Sequence, residues 1–339
     1  MSWTLKRFAA RAIAPFGAFT LRRPIDLVAG RKLLLLGYHR VLPLDDAHPH
    51  EGDLELVSAT PEEFRWQMRY LAERFEPVSC ERIAAAFDGG PPLPKRAVAV
   101  TFDDGFYDLH AHALPILKDT GMTATVFVTT DYVDNGGCFW FDHVAWALQN
   151  HDPASLPLPA AARPLAADRS ESGRRNFVAS VLRILKNADE GEANVDVQRL
   201  LDACPLPPGT ALGRALTWAE IREMSASGIE FGSHTVSHRC LARLSSIEIE
   251  RELRFSKERI ETEIGKPVTA LAYPFGGLTA FNAEVIGTAH RLGYRMATSY
   301  LPGANRVSSA DRFALRRQHV ERDTTRDYFE AMVNFPELF

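Results

Sequence analysis

From Arg31 onward, short apolar runs alternate with amphipathic segments. The runs KLLLLGYHRV at 32–41, AVAVTF at 97–102 and TATVFVTT at 123–130 are rich in aliphatic and β-branched residues, which predicts buried strands. Between the first two runs, TPEEFRWQMRYLAERF at 60–75 places apolar residues at helical spacing and opens with a capping box. Strands separated by helices predict a parallel sheet and an α/β fold.

The alternation is interrupted in the middle of the chain. Residues 150–212 contain proline- and alanine-rich stretches and helical pieces with no strand signal, which predicts an inserted helical lobe. Strand and helix signals then resume at 217–228 and continue to 312–320. Roughly seven or eight strand–helix units over 31–339 indicate a barrel, and no internal sequence repeat is visible.

The first 30 residues form a basic amphipathic segment in which lysine and arginine alternate with aromatic and aliphatic residues. This pattern is typical of a helix that packs on its own domain or makes a peripheral contact with an anionic membrane. Arg11 and Pro15 interrupt the apolar core that a signal peptide requires. We therefore expect a cytoplasmic protein, located at the inner membrane surface if the segment binds lipid.

Charge and cysteine content give no support for a nucleic-acid-binding protein or for a protein built around CxxC pairs. The chain of 339 residues has a formal net charge of −4, which gives no electrostatic reason to expect a nucleic-acid partner. Its four cysteines form no CxxC pair, so we expect buried or incidental thiols. The chemistry must therefore come from local clusters of residues.

Polar side chains gather where the predicted strands end. Asp103 and Asp104 follow the strand at 97–102, while His234 and His238 follow another, and the carboxyl ends of parallel strands meet at one edge. Two imidazoles and one carboxylate are enough to bind a divalent metal and leave positions open. A cation would offset the repulsion between adjacent acids, so that one binds metal while the other acts as a general base. Alone, HxxxH is typical of ordinary histidines and Asp-Asp-Gly of a turn.

The motif VTFDDGF at 100–106, followed by SHTVSH at 233–238, resembles the polysaccharide deacetylase family, also called the NodB-homology or carbohydrate esterase family 4. The stretches LLLLGYHRV, CFWFDHVAWAL and LAYPFGG resemble the branch found with exopolysaccharide assembly. These motifs lie within residues 96–320. The resemblance implies a distorted (β/α) barrel of about seven parallel strands. It also implies a hydrolase that removes N-acetyl groups from an N-acetylated sugar or polysaccharide.

The resemblance also implies a role for each residue of the motifs. Asp103 would be the general base, and Asp104, His234 and His238 would bind one divalent metal that activates the attacking water. Zinc is our first expectation, with iron, cobalt and nickel as alternatives. The general acid is expected to be His319, with His39 as its rival.

Four residues are expected to contact the glycan, and these are His39, Tyr273, Phe275 and Trp140. The alternative for the aromatic stretch around Trp140 is a helix that packs on the barrel. Two positions depart from the family pattern. Ala272 stands where the family has an arginine that orients the base, and His319 follows Leu315 by four residues where the family has a Leu-x-His motif. Either another cation serves Asp103 or its pKa is higher, and the sequence names no candidate.

Two other functions use the same residues. The first is hydrolysis of a carbon–nitrogen bond in a small non-glycan amide or imide. The second is a degenerate domain that binds glycan without catalysis, for which the missing arginine is the only support.

Overall fold

A computed structural model describes residues 32–44, 50–167, 170–188, 190–208, 210, 212–308 and 310–339 of the chain. The predicted amphipathic segment at 1–30 lies outside the described residues. Within the described ranges, every helix is too short or too polar to cross a membrane.

The strands are short and nearly all belong to one sheet. In chain order they are β1 (Lys32–Tyr38), β2 (Arg40–Val41), β3 (Val57–Ala59), β4 (Glu76–Pro77), β5 (Arg96–Phe102), β6 (Ala124–Val128), β7 (Glu230–Ser233), β8 (Ala270–Ala272), β9 (Met296–Thr298) and β10 (Gln318–His319). The main sheet has the order β10-β1-β5-β6-β7-β8-β9, with β4 beside the start of β5, and each pairing is parallel. Strands β2 and β3 pair separately.

The two edges of the main sheet approach each other through the segment before β10. Leu315 forms a parallel bridge with Thr298 of β9, and Gln318 pairs with Leu36 of β1. One segment therefore contacts both edge strands and curves the sheet into a barrel-like form. This confirms the predicted distorted (β/α) barrel of about seven parallel strands.

Helices connect the strands and cover the outside of the sheet. They are α1 (Pro61–Arg74), α2 (Cys80–Phe87), α3 (Leu114–Thr120), α4 (Thr130–Asn135), α5 (Trp140–Asn150), α6 (Glu171–Asn187), α7 (Glu190–Ala203), α8 (Trp218–Ala226), α9 (Ser246–Ile264), α10 (Ala283–Arg291) and α11 (Arg326–Asn334). Helix α1 begins with the predicted capping box, in which Thr60 and Glu63 bond each other's backbone N–H groups. Helices α6 and α7 lie within 150–212 and, with α5, bury a hydrophobic cluster of their own.

Alternation along the strands separates two layers of the barrel core. In β1, Leu34 and Leu36 pack towards the helices, whereas Leu33 and Leu35 pack in a smaller cluster with inward-facing residues of other strands. The odd-numbered residues of β5 continue this inward side, so the residue that follows Thr101 on it is Asp103. The strand period thus directs the first acid of the pair into the barrel.

Candidate metal centre

Asp103 and Asp104 lie on a tight turn at the end of β5. The Asp103 N–H donates to the Tyr38 carbonyl, and the Gly105 N–H donates back to the Asp103 carbonyl at 2.9 Å. Asp104 and Gly105 have φ of 70° and 85°, the left-handed region that Asp tolerates better than most residues. A Cβ on Gly105 would lie 2.8 Å from Val128 Cγ1, so glycine is required both for the turn and for the space. The turn aims the two neighbouring carboxylates in different directions.

His234 and His238 lie on the loop that follows β7. The His234 Nδ1 is 2.8 Å from the Ala272 carbonyl oxygen, which places the ring proton on Nδ1 and leaves the Nε2 lone pair for another partner. Thr235 and His238 have φ of 70° and 59°, so the loop returns sharply and brings the second imidazole over the first. The ring centroids are 4.9 Å apart.

The two imidazoles converge on Asp104. Its Oδ1 lies 3.4 Å from His234 Nε2 and 3.3 Å from His238 Nε2, and the three candidate ligand atoms all lie within 4.8 Å of one another. Asp104 Oδ1 is buried and has no hydrogen-bond partner among the described residues. A buried oxygen of this kind is costly unless a cation or proton meets it. Two nitrogens and one carboxylate oxygen fit a divalent metal such as zinc.

Electrostatics keep this carboxylate ionised. Burial raises the pKa of Asp104, but the two imidazoles outweigh it and hold that pKa well below its usual range. Burial lowers the pKa of His234, yet the neighbouring Asp103 and Asp104 carboxylates shift it upward overall. Asp104 therefore supplies a negative charge that a bound cation or a protonated imidazole would neutralise.

Asp103 is held by an arginine that lies far away in the sequence. Arg317, which is fully buried, donates from Nη1 to Asp103 Oδ1 and from Nη2 to Asp103 Oδ2, both at 2.7 Å. Its remaining donors reach Thr101 Oγ1 and the Ser299 carbonyl. Burial alone would raise the pKa of Asp103, and the guanidinium reverses this and lowers it. Asp103 is therefore an ionised carboxylate with a fixed orientation.

Arg317 is the cation that sequence reasoning did not find in place of Ala272. Ala272 contributes its carbonyl to His234 instead, while Arg317 reaches Asp103 from the opposite side of the barrel mouth. The available signal was the position of Arg317 two residues before His319, because residues i and i+2 on a strand face the same side. The stretch LRRQHV therefore indicates that Arg317 faces the same side as His319, which was predicted as a site residue.

The two candidate acids border the same aromatic ring. The His319 ring stacks on Tyr300 with centroids 3.4 Å apart, and the His39 ring lies 5.7 Å from Tyr300. Burial lowers the pKa of His39 despite the nearby Asp104 and Asp103 carboxylates, which leaves it mainly neutral near pH 7. Tyr300 was not singled out from the sequence, although it follows β9 as the other site residues follow their strands.

The structure separates the residues predicted to bind substrate. Phe275, which is 40% exposed, lies at the rim with its ring 5.2 Å from the His238 ring. Trp140 is half-buried against the cluster of α5–α7, where it contacts Phe141. Tyr273 is 1% exposed and stacks on Phe281, and its hydroxyl donates to the Phe313 carbonyl, so it packs in the core and not at the site.

A buried ion network lies on the lobe side of this centre. Arg40 Nε donates to Asp108 at 2.8 Å, and Arg40 Nη1 donates to Asp142 at 3.2 Å. Asp142 also accepts the Asp53 N–H at 2.7 Å. Burial raises the pKa of Asp142 to about 6, although Arg40 opposes it. Asp142, on α5, therefore links this helix to Arg40 of β2 and to the backbone of Asp53.

Several known proteins are similar to this chain in sequence or in fold. YxkH of Bacillus subtilis (strain 168), named as a polysaccharide deacetylase, is 21% identical over 276 residues, covering 80% of this chain and 68% of that one. A stretch of 68 residues is 39% identical to part of the Escherichia coli (strain K12) poly-β-1,6-N-acetyl-D-glucosamine N-deacetylase, covering 20% of this chain and 10% of that one. The Streptococcus pyogenes deacetylase PplD in complex with acetate has a TM-score of 0.60 at 19% identity, covering 91% of this chain and all of that one.

The family comparison agrees with the motifs. The sequence profile described as polysaccharide deacetylase matches residues 90–297, which is more than half of the chain and includes Asp103, Asp104, His234 and His238. The chain therefore belongs to the polysaccharide deacetylase family.

Proposed function

We propose that this protein is a metal-dependent N-deacetylase acting on an N-acetylated glycan. The observation that carries the proposal is the pairing of Asp103 with Arg317 beside the convergent Asp104, His234 and His238. An ionised base with fixed orientation next to three metal-type ligands is the arrangement that amide hydrolysis by an activated water requires.

Asp104, His234 and His238 would hold the ion. When bound, a divalent ion such as zinc would lower the pKa of water and polarise the acetamide carbonyl. The Ala272 carbonyl keeps the His234 Nε2 free for coordination, because it takes the proton on Nδ1. The loop geometry brings His238 to the same point.

The remaining steps belong to Asp103, Arg317 and His319. Asp103 accepts a proton from the attacking water, and Arg317 fixes both carboxylate oxygens so that their lone pairs stay aligned. We assign the general acid for the departing amine to His319, because the pKa of His39 is lowered by burial. Tyr300 stacks on His319 and fixes the plane of its ring.

A polar cavity beside the helices of 150–212 is a candidate site for the distal sugars of a chain-like substrate. It measures about 510 Å³, within the usual range of ligand pockets, and Asp53, Glu55, Ser180 and Lys186 are among its lining residues. Lys186 Nζ lies 5.2 Å from the centre of the Phe141 ring, whose centroid is 6.2 Å from the His238 ring. Two side chains in succession, Lys186 and Phe141, thus lead from the lining of the cavity to His238.

Arg317 also removes the support for a degenerate, glycan-binding domain. That alternative depended on the absence of an arginine at position 272. Asp103 binds a cation from the segment before β10, so the absence of an arginine at position 272 no longer favours that alternative.

The test is acetate release from N-acetylglucosamine oligomers by metal-stripped protein, with and without added zinc. We expect zinc to restore release. Asp103→Asn should keep zinc binding and lower kcat by about 10²–10⁴-fold, because the base is lost. His234→Ala should lose zinc binding and activity together. Undiminished turnover by Asp103→Asn would show that another group is the base. Release from small amides alone would favour the second hydrolase hypothesis.

A further inference from the structure

A buried glutamate holds the loop between the two candidate ligand histidines. Glu252 lies on α9, is 6% exposed, and accepts three hydrogen bonds from two consecutive residues. Its Oε2 accepts the N–H groups of Val236 and Ser237 at 2.9 Å each, and its Oε1 accepts the Ser237 hydroxyl at 2.6 Å. A buried carboxylate with three donors is a fixed anchor for this stretch of backbone.

The stretch that Glu252 binds needs an anchor. Thr235 and His238 both have left-handed backbone angles, which are unfavourable for residues with a side chain, β-branched threonine above all. They flank the two residues bonded by Glu252. Such a conformation persists only where surrounding contacts over-determine it, and releasing it would rotate the His238 imidazole away from Asp104.

Other contacts hold the first half of the same loop. Ser256, one turn after Glu252 on α9, contacts Ser233 through their hydroxyl oxygens at 2.7 Å, and Ser233 Oγ accepts the Thr235 N–H. On the opposite side, N–H groups at the start of α4 donate to the carbonyls of Thr235 and Val236. The half nearest His238 is held by Glu252 and by the His238 N–H, which donates to Thr235 Oγ1 at 3.1 Å.

We propose that Glu252 is a positioning residue for the metal centre, acting through Val236 and Ser237 to place His238. It touches neither the ion nor the substrate, and its effect is on metal affinity. This inference rests on the proposed function, since it requires that Asp104, His234 and His238 bind a divalent ion.

The experiment measures zinc affinity by calorimetry on the metal-stripped full chain, alongside the melting temperature. Glu252→Ala should weaken zinc binding by about 10–100-fold, the usual effect of removing an outer contact that orients a ligand. Glu252→Gln should stay within a few-fold of wild type. Its amide oxygen can accept both N–H groups, and its NH₂ can donate to the Ser237 hydroxyl. If Glu252→Ala does not fold, Ser237→Ala removes one of the three bonds and should weaken zinc binding by a smaller factor.

Glu261 provides a matched control on the same helix. Its carboxylate also accepts a backbone N–H, that of Val268 at 2.8 Å, and binds Lys257. Glu261→Ala should lower the melting temperature without changing zinc affinity. Equal zinc affinity in wild type, Glu252→Ala and Ser237→Ala would overturn the positioning role, as would an equal loss in Glu261→Ala. If wild type and His234→Ala bind zinc equally weakly, the metal proposal itself fails, so the two failures are distinguishable.

Discussion

The variant Arg317→Ala tests whether Arg317 orients Asp103, the proposed base, and keeps it ionised. The variant leaves Asp103 in place but removes both of its 2.7 Å bonds. Arg317 is 0% exposed and Asp103 is 3% exposed, so bulk solvent does not reach this ion pair. Breaking a buried pair from one side leaves an uncompensated charge and costs about 3–5 kcal/mol of unfolding free energy.

The difference in stability between the wild type and Arg317→Ala should depend on pH. In the wild type the lowered pKa of Asp103 stabilises the fold above the ordinary carboxyl pKa, and that contribution is lost as the pH falls. Without Arg317, burial dominates and raises the pKa, so the variant loses stability as the pH rises. The stability gap between the two proteins should therefore widen from about pH 4 to pH 7. The acid limb of the pH–kcat profile should also move to higher pH.

The assay is urea unfolding across that pH range, in a double-mutant cycle with Asp103→Asn. Because the asparagine side chain in that variant carries no charge, Arg317→Ala should cost much less in that background, giving a coupling of several kcal/mol. Arg316→Ala is the neighbouring control, since Arg316 is exposed and bonds the Pro302 carbonyl. A coupling near zero, or a pH–kcat profile unchanged in Arg317→Ala, would refute the assignment of Arg317 as the partner of the base.

Three further predictions follow from single contacts. Gly276 has a φ of 54°, and a Cβ at this position would lie 2.5 Å from Tyr300. Gly276→Ala should therefore lower the free energy of unfolding by about 1–3 kcal/mol. In thermal melts, Gly277→Ala should be nearly neutral, because a Cβ there meets open space. With the pKa of Asp142 raised to about 6, wild-type stability relative to Asp142→Asn should fall by up to ~3 kcal/mol from pH 4 to 7 in urea titrations. Ser180→Trp, which fills the lobe cavity, should reduce acetate release from long oligomers more than from dimers.

Local signals in the sequence were sufficient for most of the barrel. The sequence has capping boxes at Thr60 and Thr217 and glycines at 121 and 265, and in the structure α1 and α8 begin at these boxes and α3 and α9 end at these glycines. The long apolar runs at β1 and β5 become the paired central strands. These features depend on contacts between residues a few positions apart, or on burial on both faces, and both leave a periodic pattern.

Other features left no such pattern. Helices α10 and α11 were not predicted, because each has only nine residues and its amphipathic pattern is short. Tyr273 was expected at the site because it precedes Pro274 in a family motif, but β8 has three residues and the side chain turns towards Phe281. The direction of one side chain at a strand end depends on neighbours from distant segments.

The position of Arg317 shows how a family motif can lack its arginine while an arginine from another segment supplies the same charge. In a barrel of parallel strands, every carboxyl end opens at the same mouth, so a side chain from β8 and one from the segment before β10 can reach the same point. Here the Ala272 carbonyl binds His234 Nδ1, and Arg317 binds the Asp103 carboxylate. The requirement is a buried cation in contact with both oxygens of Asp103, and the fold can meet it from either strand. A missing residue at one strand end is therefore a reason to inspect inward-facing residues at the others, before the domain is considered inactive.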